Sequence, residues 1–238
     1  MRHDRSVSTP VRPSADRDAV PQFVLPLVVR IERDAPPART AALEAAARAV
    51  LVFLADTRAT EGEWAARVTA WTDGRIRKVV RRARGAEWRR ASALDGLTLA
   101  HHGAEVRVFP PVPLDDWPKE LSRLQVSGTD LADPEPPAAP EAGVPVLWLN
   151  PELDMTAGKA MAQAGHGAQL AWLALDADAR KRWAADGFPL AVRTALVTAW
   201  SALTRSGMPV VRDAGFTEIA PGSCTVVADL PELRASDA

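Results

Sequence analysis

Two parts of the chain follow the same order of elements, and this repetition limits the fold more than any other feature of the sequence. Residues 23–31 (FVLPLVVRI) and 144–150 (VPVLWLN) are apolar and rich in β-branched residues, as buried strands are. Each precedes an alanine-rich stretch that is typical of a helix, residues 36–56 in the first case and 155–172 in the second. We therefore predict an α/β protein in which a strand–helix unit occurs twice.

A shift of the sequence by 119 residues, without gaps, brings landmarks of the two parts into register. We interpret this register as a tandem duplication. The alternative is two unrelated α/β segments in a chain that is rich in alanine. The matching pairs include Trp64 with Trp183, Gly96 with Gly215, and Gly103 with Gly222.

Composition divides the chain further. Residues 1–22 are polar, contain prolines and lack the apolar run of a signal peptide, so we predict a disordered tail. A first repeat then occupies 23–111, an acidic proline-rich linker 112–143, and a second repeat 144–238. No run of about 18 apolar residues suggests a membrane span, and the single Cys224 suits a reducing compartment. We expect a cytoplasmic protein with no membrane partner.

Basic charge is concentrated in the first repeat. Residues 24–111 carry 15 basic and 10 acidic side chains, whereas residues 143–231 carry 7 and 8. Within 75–90 (RIRKVVRRARGAEWRR), eight basic residues and one acidic residue lie beside Trp88. Because Lys and Arg clusters bind phosphates and Trp stacks on bases, this helix-like stretch is a candidate RNA-binding surface. The alternative is a solvated basic face. The candidate residues are Arg75, Arg77, Lys78, Arg81, Arg82 and Arg84.

The second alanine-rich stretch places three polar residues on one helical face. Lys159, Gln163 and His166 are four and three residues apart, so on a helix they lie within roughly 40° of one another. The alanines and glycines around them let a substrate or another backbone approach closely. Lys159 falls in the first turn, where a cation is unfavourable for the helix dipole, and this suggests a function. The alternative is a solvated face with a satisfied histidine.

A second polar cluster follows within residues 210–227 (VVRDAGFTEIAPGSCTVV). A β-branched run ends at Asp213, and α/β proteins often place functional side chains where strands end. Thr217 and Ser223 add hydroxyl groups. The alternative is an ordinary turn with an aspartate cap, which would have the same sequence pattern. With four scattered histidines and one cysteine the sequence contains no recognisable zinc site, and we expect neither a metal nor another cofactor.

Together the two clusters resemble the type 2 peptidyl-tRNA hydrolases, over about residues 145–231. The first motif, M-x-x-G-K-x-x-A-Q-x-x-H, runs from Met155 to His166. The second motif, D-A-G-x-T-x-I-x-P-G-S-x-T-V, runs from Asp213 to Val226. Members of that family hydrolyse the ester between a peptide and the 3′ ribose of tRNA without a metal. The resemblance implies a catalytic site that includes Lys159, Gln163, His166, Asp213 and Thr217, with His166 either shuttling a proton or supporting the helix.

The resemblance also implies a fold. Family members have a mixed four-stranded sheet between helices and typically form homodimers. A tandem fusion predicts two similar three-layer α/β/α repeats, each with a mixed and roughly four-stranded sheet, that form a pseudo-dimer within one chain. We therefore expect a monomer with peptidyl-tRNA as its partner.

The sequence departs from the family in its basic residues. Asn150 stands where the family's strand ends in Arg, Ala157 replaces a Lys, and Phe216 replaces a basic residue. A non-catalytic relative that binds tRNA or a protein is therefore an alternative to the hydrolase. In the gapless register the first repeat lacks the site and is expected to be inactive: Thr40, Glu44, Ala47 and Leu94 fall on Lys159, Gln163, His166 and Asp213.

Overall fold

The computed structural model describes residues 17–18, 20–213 and 219–234. Most of the predicted N-terminal tail and the candidate site residue Thr217 lie outside the described residues. Within the described ranges, none of the helices is both long enough and apolar enough to cross a membrane.

The first half of the chain forms a mixed sheet with strand order β2–β1–β4–β3, and β5 pairs with the beginning of β1. Strand β1 runs parallel to β2 and antiparallel to β4, and β3 and β4 form an antiparallel hairpin. The strands are β1 (Phe23–Arg30), β2 (Arg77–Ala83), β3 (Leu97–His101), β4 (Ala104–Val108) and β5 (Val112–Pro113). The helices are α1 (Arg39–Ala55), α2 (Thr57–Thr60), α3 (Ala65–Asp73), α4 (Gly85–Ser92) and α5 (Lys119–Ser122).

The second half forms a four-stranded mixed sheet of order β7–β6–β9–β8. Its strand directions match those of the first sheet, because β6 is parallel to β7 and antiparallel to β9, and β8 is antiparallel to β9. The strands are β6 (Val146–Leu149), β7 (Ala191–Thr194), β8 (Val210–Arg212) and β9 (Cys224–Asp229). The helices are α6 (Ala157–Ala174), α7 (Ala177–Ala185), α8 (Val197–Thr204) and α9 (Pro231–Arg234). The predicted α/β class with two mixed sheets is confirmed.

Helices α1 and α6 pack against each other between the two sheets, and one apolar core joins both halves. Small residues allow this close packing. A Cβ atom on Gly167 would lie 2.8 Å from Val226 Cγ1 of β9, and one on Gly165 would lie 3.1 Å from Val50 Cγ2 of α1. Two smaller apolar clusters cover the outer faces, with α4 and α5 on the first sheet and α8 on the second. Each sheet therefore has helices on both faces.

The gapless register between the two halves is wrong at its tryptophan landmark. Trp183 has its counterpart in Trp71, because each buried indole N–H donates to the backbone carbonyl six residues further along, at Pro189 and Arg77, over 2.9 Å in both cases. Trp64 precedes α3 and donates instead to Asp95 Oδ2 at 2.7 Å. Loops of unequal length in the two halves shift the register, so a single offset cannot hold along the whole chain.

The register also fails at the hairpin of each sheet. Strands β3 and β4 join through a tight turn at His102 and Gly103, with φ angles of 46° and 81°. Strands β8 and β9 are joined by the much longer segment 213–223. Asp213 directly follows β8, so its position in the first half lies at the end of β3 and not at Leu94, which precedes that strand.

The basic stretch 75–90 is not a continuous helix. Residues 77–83 form β2, the edge strand of the first sheet, and α4 begins only at Gly85. The burial of Lys78, Val80 and Ala83 and the β-branched pair Val79–Val80 suit a strand packed between layers, and this tertiary setting outweighs the helix propensity of the arginines.

The segment predicted as a linker from residue 112 is partly integrated into the first half. Val112 pairs with Val24 in the sheet, and Leu121 and Leu124 belong to the apolar cluster on its outer face. Further along, Asp133 accepts hydrogen bonds from Thr40 N (2.8 Å) and Thr40 Oγ1 (2.7 Å) and so covers the N-terminus of α1.

Candidate active site

Residues 150–156 connect β6 to helix α6, whose first turn carries Lys159. Thr156 is its N-cap, with its hydroxyl oxygen accepting from Lys159 N at 3.4 Å. Asn150, which stands where the resemblance expects Arg, donates from Nδ2 to Cys224 O at 2.8 Å and accepts from Glu152 N at 2.8 Å. Asn150 therefore ties the end of β6 to β9 and shapes the connection that leads into α6.

The carboxylate of Asp213 is held by two side chains of α6. Its Oδ2 accepts from Lys159 Nζ at 2.7 Å and from Gln163 Nε2 at 2.8 Å. The Asp213 side chain is 6% exposed and that of Lys159 is 20% exposed, so the ion pair lies at the boundary between protein and solvent. The backbone of Asp213 donates to Ser223 O at 2.9 Å and accepts from Gly222 N at 2.7 Å, which anchors the residue where β8 ends.

Gln163 is oriented by a buried hydroxyl. Its Oε1 accepts from Thr225 Oγ1 at 2.6 Å, and Thr225 on β9 is fully buried. This contact aims the amide nitrogen of Gln163 at Asp213. Thr225 was not among the predicted site residues. It occupies a fixed place in the second motif, so the motif could have identified it.

The Nδ1 edge of His166 faces the first half of the molecule. Its Nδ1 lies 3.1 Å from the Nζ atom of Lys78 on β2, and the same Nζ donates to Gln169 Oε1 at 2.5 Å. Burial lowers the pKa of His166 well below 6.5, and the positive charges of Lys78 and Lys159 lower it further. Burial also lowers the pKa of Lys78 well below 10.5.

Lys78 was predicted to bind RNA, but its side chain is enclosed between the halves and only 7% of the residue is exposed. Its ammonium group is therefore not available to a phosphate at the surface. The sequence signal that was missed is its place between the apolar positions of a strand, where alternate side chains point inward.

The other basic candidates differ in how accessible their side chains are. Arg81 is engaged within the protein, since it donates to Ser122 O at 3.1 Å and to Leu124 O at 2.5 Å and stacks on the Trp117 ring at 4.4 Å. Arg75 pairs with Asp18 at 2.5 Å. Arg82 and Arg84, with Arg33 and Arg123, line an open groove of about 390 Å³ on the surface of the first half, and Glu32 and Glu87 line it as well. Arg77 follows Arg75 at the start of β2 and is partly buried.

The groove and the start of α6 are joined by a short segment of chain. Arg82 N donates to Gln125 O at 3.0 Å, and four residues later Thr129 O accepts from Ala157 N at 3.2 Å in the first turn of α6. A chain of that length spans about 15 Å at most. Next to Gln125 of the groove, the carbonyl oxygen of Val126 lies 3.8 Å from the position of a Cβ atom on Gly158, so this end of the groove is close to Lys159.

The corresponding face of α1 carries a different cluster. Glu44 Oε1 accepts from Arg193 Nη1 at 2.6 Å and from Val192 N at 3.1 Å, and Glu44 Oε2 lies 3.0 Å from His101 Nε2. Arg48 lies 2.6 Å from His101 Nδ1 and donates to Phe188 O at 3.0 Å. These residues connect the two halves and do not repeat the Lys–Gln–Asp arrangement.

The fold and this geometry define a class of protein: an α/β protein in which a carboxylate at the end of a strand is held by an ammonium group and an amide from a helix. In the described part of the chain, no group of three or more His, Cys, Asp or Glu side chains is placed to hold a metal ion. Residues 144–235 match the family model of the peptidyl-tRNA hydrolase PTH2, and this segment contains all of Lys159, Gln163, His166, Asp213 and Thr217. The search of curated proteins finds no match to the chain.

Proposed function

We propose that the second half of this protein hydrolyses the ester bond between a peptide and the 3′ ribose of tRNA. The observation that carries the proposal is the Asp213 carboxylate, held between Lys159 and Gln163 within a segment that matches the PTH2 family. Acyl transfer to water needs an oriented nucleophile, stabilisation of an oxyanion and a fixed substrate.

The chemistry assigns a separate role to each group. Asp213 orients the attacking water and accepts its proton, since a carboxylate is a hydrogen-bond acceptor and a base. Lys159 stabilises the negative charge that develops on the carbonyl oxygen, because an ammonium group near this atom interacts more strongly with the transition state than with the neutral ester. Gln163 supplies a hydrogen bond, and so does Thr217, which lies outside the described residues.

The basic groove of the first half supplies the contacts to tRNA in this proposal. Arg33, Arg84 and Arg123 are exposed there, and Arg82 lies at the edge of β2 with its guanidinium group donating to Gln125 Oε1. Four arginines against two glutamates leave the groove with a positive charge that suits phosphate groups, and its position near Lys159 would place a bound acceptor stem beside the site. Lys78 is left out of the RNA-binding set because it is buried, and Arg81 because it is bound to backbone carbonyls.

A second candidate function is a relative that binds tRNA or a protein without hydrolysis. Asn150 and Ala157 favour it, because the resemblance expects basic residues at these places beside the site. The two candidates differ in a single observable, which is whether a bound peptidyl-tRNA is cleaved.

The duplication of the chain is likewise a proposal. Equal strand order, equal strand directions and the equivalent tryptophans Trp71 and Trp183 support it, with unequal loops between them. In this interpretation the α1–α6 contact takes the place of a contact between two subunits.

Single-turnover hydrolysis of a purified peptidyl-tRNA tests the function. We expect Lys159→Ala and Asp213→Asn each to lower the rate by at least about 100-fold, the scale on which single electrostatic groups act in catalysis. Their melting temperatures should stay close to that of the wild type. Lys181→Ala, which removes an exposed lysine of α7, is the matched control and should keep full activity.

Two results would contradict the proposal in different ways. Near-normal rates in both variants would remove Lys159 and Asp213 from the site. Tight binding of peptidyl-tRNA by the wild type without release of the peptide would favour the non-catalytic relative.

A further inference from the structure

Lys78 is a buried lysine that the proposed reaction does not use. It belongs to β2 of the first half, yet its ammonium group contacts α6 of the second half at His166 Nδ1 (3.1 Å) and Gln169 Oε1 (2.5 Å). The stem of Lys78 reaches this position across Gly165, because a Cβ atom there would lie only 3.3 Å from Lys78 Cδ. A glycine just before the histidine therefore leaves the path for a side chain from the other half.

The partners of Lys78 determine which way its protons point. The amide oxygen of Gln169 is an acceptor only, and the face of the Trp71 ring, whose centroid is 5.0 Å from Nζ, favours a cation. The remaining N–H of an ammonium group is then directed at His166 Nδ1, which can accept it only when the imidazole proton is on Nε2. In the ammonium form of Lys78, the three N–H donors thus have three partners.

We propose that Lys78 is a positioning residue that holds His166 as the neutral imidazole with its proton on Nε2. An imidazolium could not accept this N–H across the 3.1 Å contact, because both of its ring nitrogens are donors. His166 Nε2 is therefore a hydrogen-bond donor at neutral pH. If the proposed function holds, the first half completes the site, and His166 donates a hydrogen bond during hydrolysis instead of serving as the base. Only this consequence rests on the proposed function.

The other groups near His166 carry both signs of charge. Lys159 on the same helix is a cation, whereas α1 presents the apolar Val50 beside Gly165. Asp213 at the end of β8 carries the nearby negative charge, and it is engaged with Lys159 and Gln163. Burial together with the two lysines keeps the pKa of His166 well below 6.5.

Nitrogen-15 NMR of the imidazole groups tests this state without any substrate. In the wild type we expect His166 to show a protonated Nε2 and an unprotonated Nδ1, with no change between pH 8 and pH 6. In Lys78→Met, which keeps the apolar stem and removes the donor, we expect a mixture of tautomers or a protonation step that moves toward the ordinary range. A proton on Nδ1 in the wild type would overturn the proposal, and so would a Lys78→Met spectrum identical to the wild type.

The controls separate this role from a merely structural one. Lys181→Met makes the same chemical change at an exposed position of α7 and should leave the His166 signals unchanged. If Lys78→Met does not fold, Lys78→Gln provides a polar replacement, and the wild-type tautomer by itself still decides the central claim. Absence of hydrolysis by the wild type would overturn the proposed function and leave the tautomer result standing.

Discussion

At the scale of single residues, the site is organised by hydrogen bonds that leave few alternatives to its side chains. Thr225 fixes the amide of Gln163, Gln163 and Lys159 fix the carboxylate of Asp213, and Lys78 contacts His166. Each of these groups is at least partly buried, so each bond persists with little competition from water. Such a site is preorganised before a substrate binds.

The lowered pKa of His166 predicts how stability depends on pH. The unfolded chain takes up a proton at the ordinary pKa near 6.5, whereas the folded protein does not until a lower pH. The free energy of unfolding therefore falls as the pH drops below 6.5, by at most about 1.4 kcal/mol per pH unit from this residue. Above 6.5 the residue contributes no pH dependence, because it is neutral in both states.

Urea unfolding of the wild type and of His166→Asn at pH 7.5 and pH 5.5 measures this effect. We expect the wild type to lose more stability than the variant over this interval. An equal loss in both proteins would show that His166 takes up its proton normally in the folded state.

At the scale of elements, β2 serves both halves of the molecule. Its inward side chains include Lys78, which contacts α6, while its edge contributes Arg82 to the basic groove. The segment Gln125–Thr129 pairs with this edge and then reaches the first turn of α6. The strand thus connects the proposed RNA-binding surface with the candidate site.

Removing positive charge from the groove should weaken RNA binding in a salt-dependent manner. Each phosphate contact contributes about 0.9 to the slope of log K against log salt on a duplex, and about 0.7 on a single strand. The triple variant Arg82→Gln, Arg84→Gln and Arg123→Gln should therefore reduce the slope by about two to three. Turnover at saturating substrate should hardly change, because these contacts act equally on substrate and transition state.

Titrations of tRNA binding at several salt concentrations provide the measurement. Arg67→Gln with Arg205→Gln removes exposed arginines elsewhere on the surface and serves as the control. An unchanged slope in the triple variant would mean that the groove is only a solvated basic surface.

At the scale of the whole molecule, the two halves share a core and a set of buried polar contacts. Glu44 of the first half binds Arg193 and Val192 N of the second, and Arg48 donates to the Gly187 and Phe188 carbonyls. Helices α1 and α6 bury their small-residue faces against each other. Neither half could keep this surface covered by itself.

The internal contact predicts a monomer. Because α1 and α6 already bury each other, a second chain has no equivalent helix face to cover. Light scattering should give a mass near 25.5 kDa over a wide range of protein concentration. A stable mass of twice this value would contradict the interpretation of the chain as an internal pseudo-dimer.

Local sequence patterns determined much of this architecture in advance. The apolar runs predicted β1 and β6, the alanine-rich stretches predicted α1 and α6, and the β-branched run placed Asp213 directly after a strand. These predictions succeeded because residue periodicity and strand propensity depend on near neighbours in the chain. The motif spacing likewise selected Lys159, Gln163 and Asp213, which the fold brings into contact.

Only the tertiary structure decided the remaining features. An arginine-rich segment became strand β2 because Lys78, Val80 and Ala83 are buried where α6 and α4 pack on the sheet, and local propensity does not contain that information. Unequal loops moved Trp71, and not Trp64, into the position that matches Trp183. Lys78 points inward at His166 because the halves pack together, and the burial of a charge depends on partners that lie 88 residues away in the chain.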